Sequence, residues 1–253
     1  MNRRYRVGLS LLLLLSTVLL SIFFTGKAKH SLADIYNNNT PIYRVKTDEK
    51  NLALTFDINW AENDELYNIL EVLDKYNVKA TFFIMGGWVN YSEENREKLI
   101  KIKEGGHEVG NHSYIHPMFS KITEERMKEE LEKTNKIIEE TIGEKVKLFR
   151  FPSGDYNKKA CEFIYNQGMI SIQWNIDSVD YKQTGAEEEY NRVMKKISPG
   201  SILLFHNNAK YTPGNLDRII NELQKEGYKF VTVGEMIYYN DYYIDEKGDQ
   251  IKK

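Results

Sequence analysis

Residues 107–117 read HEVGNHSYIHP, a short extended run followed by two histidines, His112 and His116, and a proline. Imidazole is the commonest protein ligand for metals, and a spacing of four sets two rings on one side of a helical turn, within reach of one ion. The competing reading is an ordinary pair of loop histidines. What surrounds the pair decides between them.

Working outward, apolar runs alternate with amphipathic stretches of helical length. The strand candidates are LALTFDI (52–58), ATFFIM (80–85), HEVGN (107–111), KLFRF (147–151), MISIQW (169–174), SILLFH (201–206) and KFVTV (229–233). Helices are expected at 62–77, from Glu93 to the glycines at 105–106, at 123–143 behind a threonine cap, and at 157–167, 186–197 and 213–227. Alternating β and α segments specify a parallel sheet covered by helices. Periodicity alone does not separate a doubly wound sheet from a barrel. No G-x-G-x-x-G follows the first strand, so the dinucleotide-binding signature is missing.

In such folds sites form at the C-terminal ends of the strands. Asp57 ends the first strand, His112 and His116 follow the third, and Arg150 ends the fourth; Asp177 and Asp180 follow the fifth, and His206 ends the sixth. These residues should therefore converge on one face. His107 sits at the opposite end of its strand and His30 in a polar stretch, so both are expected to be structural or incidental.

The chain of 253 residues begins with Arg3, Arg4 and Arg6 and then carries no charge from Val7 to Gly26, enough to cross a hydrocarbon core of about 30 Å. Residues 1–29 are thus expected to be a signal-anchor, with a cleaved signal peptide as the alternative, and the rest is expected outside the cytoplasm, membrane-anchored or secreted. Residues 30–50 read as a linker, 51–240 as the folded domain and 241–253 as a polar tail. Five of the 35 basic residues precede His30, leaving 30 against 37 acidic ones beyond it, so a nucleic-acid partner is not expected. Cys161 is the single cysteine; it excludes an intrachain disulfide and reads as a buried small apolar residue.

Five motifs, in order, resemble those of the polysaccharide deacetylases of carbohydrate esterase family 4, the NodB-homology domain. They are LTFDINW (54–60), NHSYIHP (111–117), RFPSGDYN (150–157), WNIDSVDYK (174–182) and ILLFH (202–206). The first motif and the KFVTVGEMI ending (229–237) are most similar to sporulation-type deacetylases of spore-forming bacteria. The resemblance implies a distorted (β/α)7 barrel and metal-dependent removal of N-acetyl groups from cell-wall amino-sugar polymers, with peptidoglycan as the expected partner. O-acetyl xylan esterase activity and a catalytically silent wall-glycan-binding protein are the alternatives. It implies a divalent metal, zinc first, on His112 and His116, with Asp57 as base, Arg150 orienting it, His206 as acid and Asp180 behind His206. Ser153 is expected to offer an oxyanion donor through its backbone N–H, and Trp174 to wall the acetyl pocket. The family usually has a second aspartate after the base, as third metal ligand; here Ile58 stands there. Asp64 is the expected substitute, against a competing role in capping the following helix.

Overall fold

The computed structural model describes residues 39–253. Its centre is the stretch LALTFDI, which lies in β2 (Asn51–Ile58). Every residue of this strand after Asn51 is buried, as expected for a central parallel strand covered on both faces. In chain order the strands are β1 (Arg44–Val45), β2, β3 (Thr81–Ile84), β4 (Glu108–Asn111), β5 (Leu148–Phe149), β6 (Ile170–Ser171), β7 (Ile176–Asp177), β8 (Ile202–His206), β9 (Lys229–Phe230), β10 (Tyr242–Ile244) and β11 (Asp249–Lys252).

The main sheet runs β6-β5-β4-β3-β2-β8-β7, with β9 pairing the start of β2, and all of its pairings are parallel. The seven strands on that path follow cyclic chain order. The sheet is therefore a curled half-barrel whose two edges, β6 and β7, are neighbours in sequence. This agrees with the barrel expectation in class and strand order. Its membership differs: β7 comes from the WNIDS stretch, whereas KFVTV contributes only the two-residue β9 before turning into a short helix. Two-residue strands carry too little alternation to be seen in a sequence.

The helices are α1 (Leu66–Lys75), α2 (Gly86–Val89), α3 (Glu93–Glu104), α4 (Glu124–Ile142), α5 (Lys158–Asn166), α6 (Ala186–Met194), α7 (Thr212–Lys225) and α8 (Val233–Met236). Several begin where the chain supplies a cap: Ser92 accepts from the Asn95 N–H, Thr123 from that of Arg126 and Asn157 from that of Ala160. The α4 helix stops at Gly143, left-handed at φ 72°. Leu66, Ile69 and Leu73 of α1 and Leu216, Ile219, Ile220 and Leu223 of α7 bury against Leu52, Leu54, Phe56 and Ile58 of β2.

The expected linker and tail are partly structured. Residues 39–50 belong to the folded unit, and β1, β11 and β10 form a separate three-stranded sheet. Arg44 pairs with Asp249 and Val45 with Gln250, some 200 residues apart in sequence. Ile42, Val45, Ile244 and Gln250 are buried, and the Gln250 amide is satisfied by the backbone of Tyr238. Gly200 lets this segment close on β8: it adopts φ 76°, and a Cβ there would meet the Val45 carbonyl at 1.8 Å. The expected membrane segment at 1–29 lies outside the described residues; among those described, no helix is long and apolar enough to cross a membrane.

Cys161 is buried and free, and burial pushes its thiol up to about 12, matching the apolar role read from sequence. His107 is structural: its Nδ1 accepts the Ala80 N–H at 3.2 Å and its ring meets Phe82 edge-on. Burial, aided by Lys79, pushes this imidazole down to about 4. The unfolded chain therefore binds a proton first as pH falls below the ordinary histidine value. Stability should drop between about pH 6.5 and pH 4, by up to about 3 kcal/mol from this residue. Chemical denaturation across that range should show the loss, and His107→Asn, which keeps an acceptor for the Ala80 N–H, should remove this component.

Candidate active site

Parallel pairing places the polar strand ends side by side. Asp57 is in register with His206 across β2 and β8 and with Phe83 across β2 and β3, while Asn111, just before His112, pairs with Phe149, just before Arg150. Together with Ser153, Trp174, Asp177 and Tyr181, these ends surround a cleft of about 370 Å³ that Asp57, His116 and His206 line.

Asp57 is buried and accepts from Arg150 Nη1 at 2.8 Å through Oδ1. Arg150 is fully buried; its Nε and Nη2 donate to the Ile172 and Gln173 carbonyls, and its guanidinium lies 4.0 Å from the Phe83 ring centroid. Burial opposes ionisation of Asp57, but the bonded Arg150 guanidinium outweighs it and holds the carboxyl below its usual range.

His112 is fully buried, with Nδ1 3.0 Å from the Arg150 carbonyl. A carbonyl only accepts, so Nδ1 carries the hydrogen and Nε2 of the neutral ring is a lone pair. Burial pushes the ring down to about 4, so it is neutral near pH 7. Its Nε2 has no hydrogen-bond partner and stands 3.4 Å from Asp57 Oδ2. Two acceptors facing each other in a buried site call for a cation or a proton donor. The His116 ring meets His112 edge-on, centroids 4.9 Å apart, and lines the cleft. The pair thus fits a divalent ion as two imidazole ligands.

The third ligand does not follow the sequence expectation. Ile58 is fully buried in the apolar core. Asp64 is committed elsewhere: it accepts from the Leu66 N–H at the start of α1, from Asn207 Nδ2 and from Lys98 Nζ at 3.0 Å, and it lines a different cleft. The helix-capping alternative holds, because a buried lysine and an open helix start both need its oxygens. Among the described residues, no three His, Cys, Asp or Glu side chains gather to hold a metal ion.

On the adjoining strand β8, His206 Nδ1 lies 2.7 Å from Asp180 Oδ1. Asp180 is buried and collects three further donors: the His206 and Tyr181 backbone N–H groups and the Thr212 hydroxyl. Burial would lower the His206 pKa, but the bond to Asp180 and its charge outweigh burial and raise it. With Nδ1–H given to Asp180, Nε2 is the nitrogen left for the cleft.

Sequence reasoning missed three residues here. Glu189 stands 3.3 Å from the Thr212 hydroxyl, behind Asp180, and burial pushes it up to about 7. It is a buried carboxyl on an otherwise acidic helix start, which nothing in the sequence separates from solvent-facing glutamates. Thr212 and Asn207 were likewise silent; Asn207 follows His206 and bonds both backbone groups of Asn59. Ser153 and Trp174 do line the cleft, with the Trp174 ring 5.4 Å from the Arg150 guanidinium. Backbone strain concentrates around the site: His116, Ser153 and Val179 are left-handed at φ 63°, 55° and 57°. For a β-branched residue this is costly, and Val179 is held by its N–H bond to Asp177.

The family profile of the polysaccharide deacetylases matches residues 44–171. The chain belongs to this family. YlxY of Bacillus subtilis is 37% identical over 78% of the chain and 60% of its own length. A peptidoglycan-N-acetylglucosamine deacetylase of Bacillus cereus is 34% identical over 73% of the chain and 67% of its own length. The chain thus spans less than two thirds of YlxY. Among solved structures, a family 4 pseudoenzyme from Bacillus anthracis superposes with TM-score 0.73 at 37% identity, covering 78% of this chain and 69% of that one. A mutant of that pseudoenzyme with restored activity superposes at 0.74 with 38% identity, covering 78% and 71%.

Two variants test these assignments. Asp64→Ala should cost about 1–3 kcal/mol, because Lys98 and the α1 start each lose an acceptor, measurable by denaturant unfolding. Asp180→Asn should bring the His206 midpoint down, read by NMR titration, because the variant loses the carboxylate that raises it. The stability that pair contributes is present below the ordinary histidine value and fades as pH rises through the raised one. The difference between wild type and Asp180→Asn should therefore shrink at alkaline pH.

Proposed function

We propose that the chain is a hydrolase that removes N-acetyl groups from cell-wall amino-sugar polymers, with peptidoglycan the foremost candidate. The observation that carries this reading is the pair of dyads side by side on one cleft, Asp57–Arg150 and Asp180–His206. One favours the ionised form of a carboxylate; the other favours the protonated form of an imidazole. Amide hydrolysis needs both a base and an acid.

In this reading Asp57 takes the proton of the attacking water through Oδ2, while Arg150 keeps Oδ1 in place. His206 Nε2–H delivers a proton to the departing sugar nitrogen, and Asp180 fixes its tautomer. Ser153 and Trp174 line the same cleft, where the Ser153 N–H would serve the developing oxyanion and Trp174 would wall the acetyl methyl. A divalent ion on His112 and His116, zinc first, would supply Lewis acidity toward the acetyl carbonyl. The apolar run at 7–26 supports action outside the cytoplasmic membrane, next to the wall.

A second reading rests on a specific observation. Ile58 stands where the motif resemblance implies a metal-binding aspartate, and a family pseudoenzyme is among the chain's structural neighbours. On it, the protein holds wall glycan without turnover.

Acetate release from N-acetylated wall glycans, with and without chelator, separates the two. On the first reading the wild type releases acetate, chelator suppresses it, and His206→Ala slows it about 10²–10⁴-fold. On the second the wild type is silent. Ile58→Asp, which restores a third ligand, should then bind metal about 10–100-fold more tightly and release acetate.

A further inference from the structure

A second cleft of about 410 Å³ opens beside the first, within the size range of small-molecule sites. The two adjoin at consecutive residues, Asn59 lining the catalytic cleft and Trp60 the second. Asn207 joins them, bonding Asn59 on one side and Asp64 on the other. Three aromatic side chains of this cleft stand open to solvent: Tyr91 is 76% exposed, Tyr67 47% and Trp60 44%. Exposed rings clustered around one concavity mark a binding surface rather than scattered surface residues.

The charges lining the cleft are one-sided. Glu62, Asp64 and Glu94 face a single cation, Lys98, which is buried and already held by Asp64 and Glu94 at 3.0 and 2.8 Å. The lysine ammonium is thereby occupied, and the cleft keeps an excess of carboxylate. Aromatic faces attract cations, carboxylates accept strongly from ammonium groups, and flat rings cover the apolar face of a pyranose. A neutral N-acetyl sugar would use only the rings; a sugar with a free ammonium would use both rings and acids.

We infer that this cleft is a subsite for a hexosamine unit whose amine is free, next to the unit held at the catalytic cleft. The inference rests on the proposed function for its occupant, since the free-amine sugar is what N-deacetylation leaves behind. An amide becomes an ammonium at that step, and the cleft distinguishes the two by charge. A glycan strand already deacetylated at one position would then be held with a neighbouring unit at Asp57 and His206, and deacetylation would cluster along the strand.

Isothermal titration of the full chain, kept in mild detergent, with the glucosamine tetramer, the N-acetylglucosamine tetramer and trilysine tests this without turnover. The glucosamine tetramer should bind about tenfold more tightly than its acetylated counterpart, as one added charge contact of ordinary strength gives. The advantage should shrink in high salt. Tyr91→Ala and Glu62→Gln, both at exposed positions that leave folding intact, should each lower it about threefold or more. Equal binding of the two tetramers, or a preference untouched by both variants, overturns the subsite whether or not acetate is released. Trilysine competing at the same affinity overturns the sugar assignment in favour of a peptide amine. A preference for the free-amine tetramer in a chain that releases no acetate sustains the subsite and fails only the catalytic reading.

Discussion

The buried ion pair between Asp57 and Arg150 is the constraint around which this end of the molecule is arranged. A guanidinium with no access to solvent needs an acceptor at each of its nitrogens, or the charge is costly to keep. Arg150 finds one for each in Asp57 on β2 and in the carbonyls of Ile172 and Gln173, just past β6. Its own carbonyl fixes the His112 ring. One side chain thus ties the central strand to the edge of the sheet, where β5 and β6 are each only two residues long and supply few ladder bonds. Removing either partner would strip the other of its compensation.

The same enclosure drives the protonation equilibria apart. The Arg150 guanidinium favours the ionised form of Asp57, whereas the Asp180 carboxylate favours the protonated form of His206. Burial opposes both charges, and in each case a short charge-assisted bond overrides it. His112 has no such partner on its inward nitrogen, and there burial prevails and leaves a neutral ring. The strained residues lie in the loops that set these side chains in place: His116 beside the histidine pair, Ser153 at the cleft mouth and Val179 just before Asp180. The surrounding hydrogen bonds offset that strain.

The loop after β2 has taken a different course from the one its motif suggests. Position 58 carries an aliphatic side chain that the core absorbs, and the nearest carboxylate, Asp64, is committed to Lys98, Asn207 and the first turn of α1. Asp64 thus shapes the surface beside the catalytic cleft.

Much of this was legible in the sequence. Apolar runs alternating with amphipathic stretches specified a parallel sheet with helices, and the polar residues at strand ends specified a shared face; Asp57, His112, His116, Arg150, Asp180 and His206 do meet there. Those signals are local: a run of β-branched and aromatic residues, a cap, a glycine stop. What the sequence could not express depends on partners far along the chain. The β1–β11 pairing joins segments some 200 residues apart, and the two-residue β7 exists only because β8 lies beside it. Glu189 becomes a buried acid, and Asp64 a brace rather than a ligand, because of what is packed against them. Periodicity and residue type record which face of an element is apolar and which side chains can do chemistry. Distance, burial and the choice of partner are properties of the assembled fold, and only tertiary packing decides them.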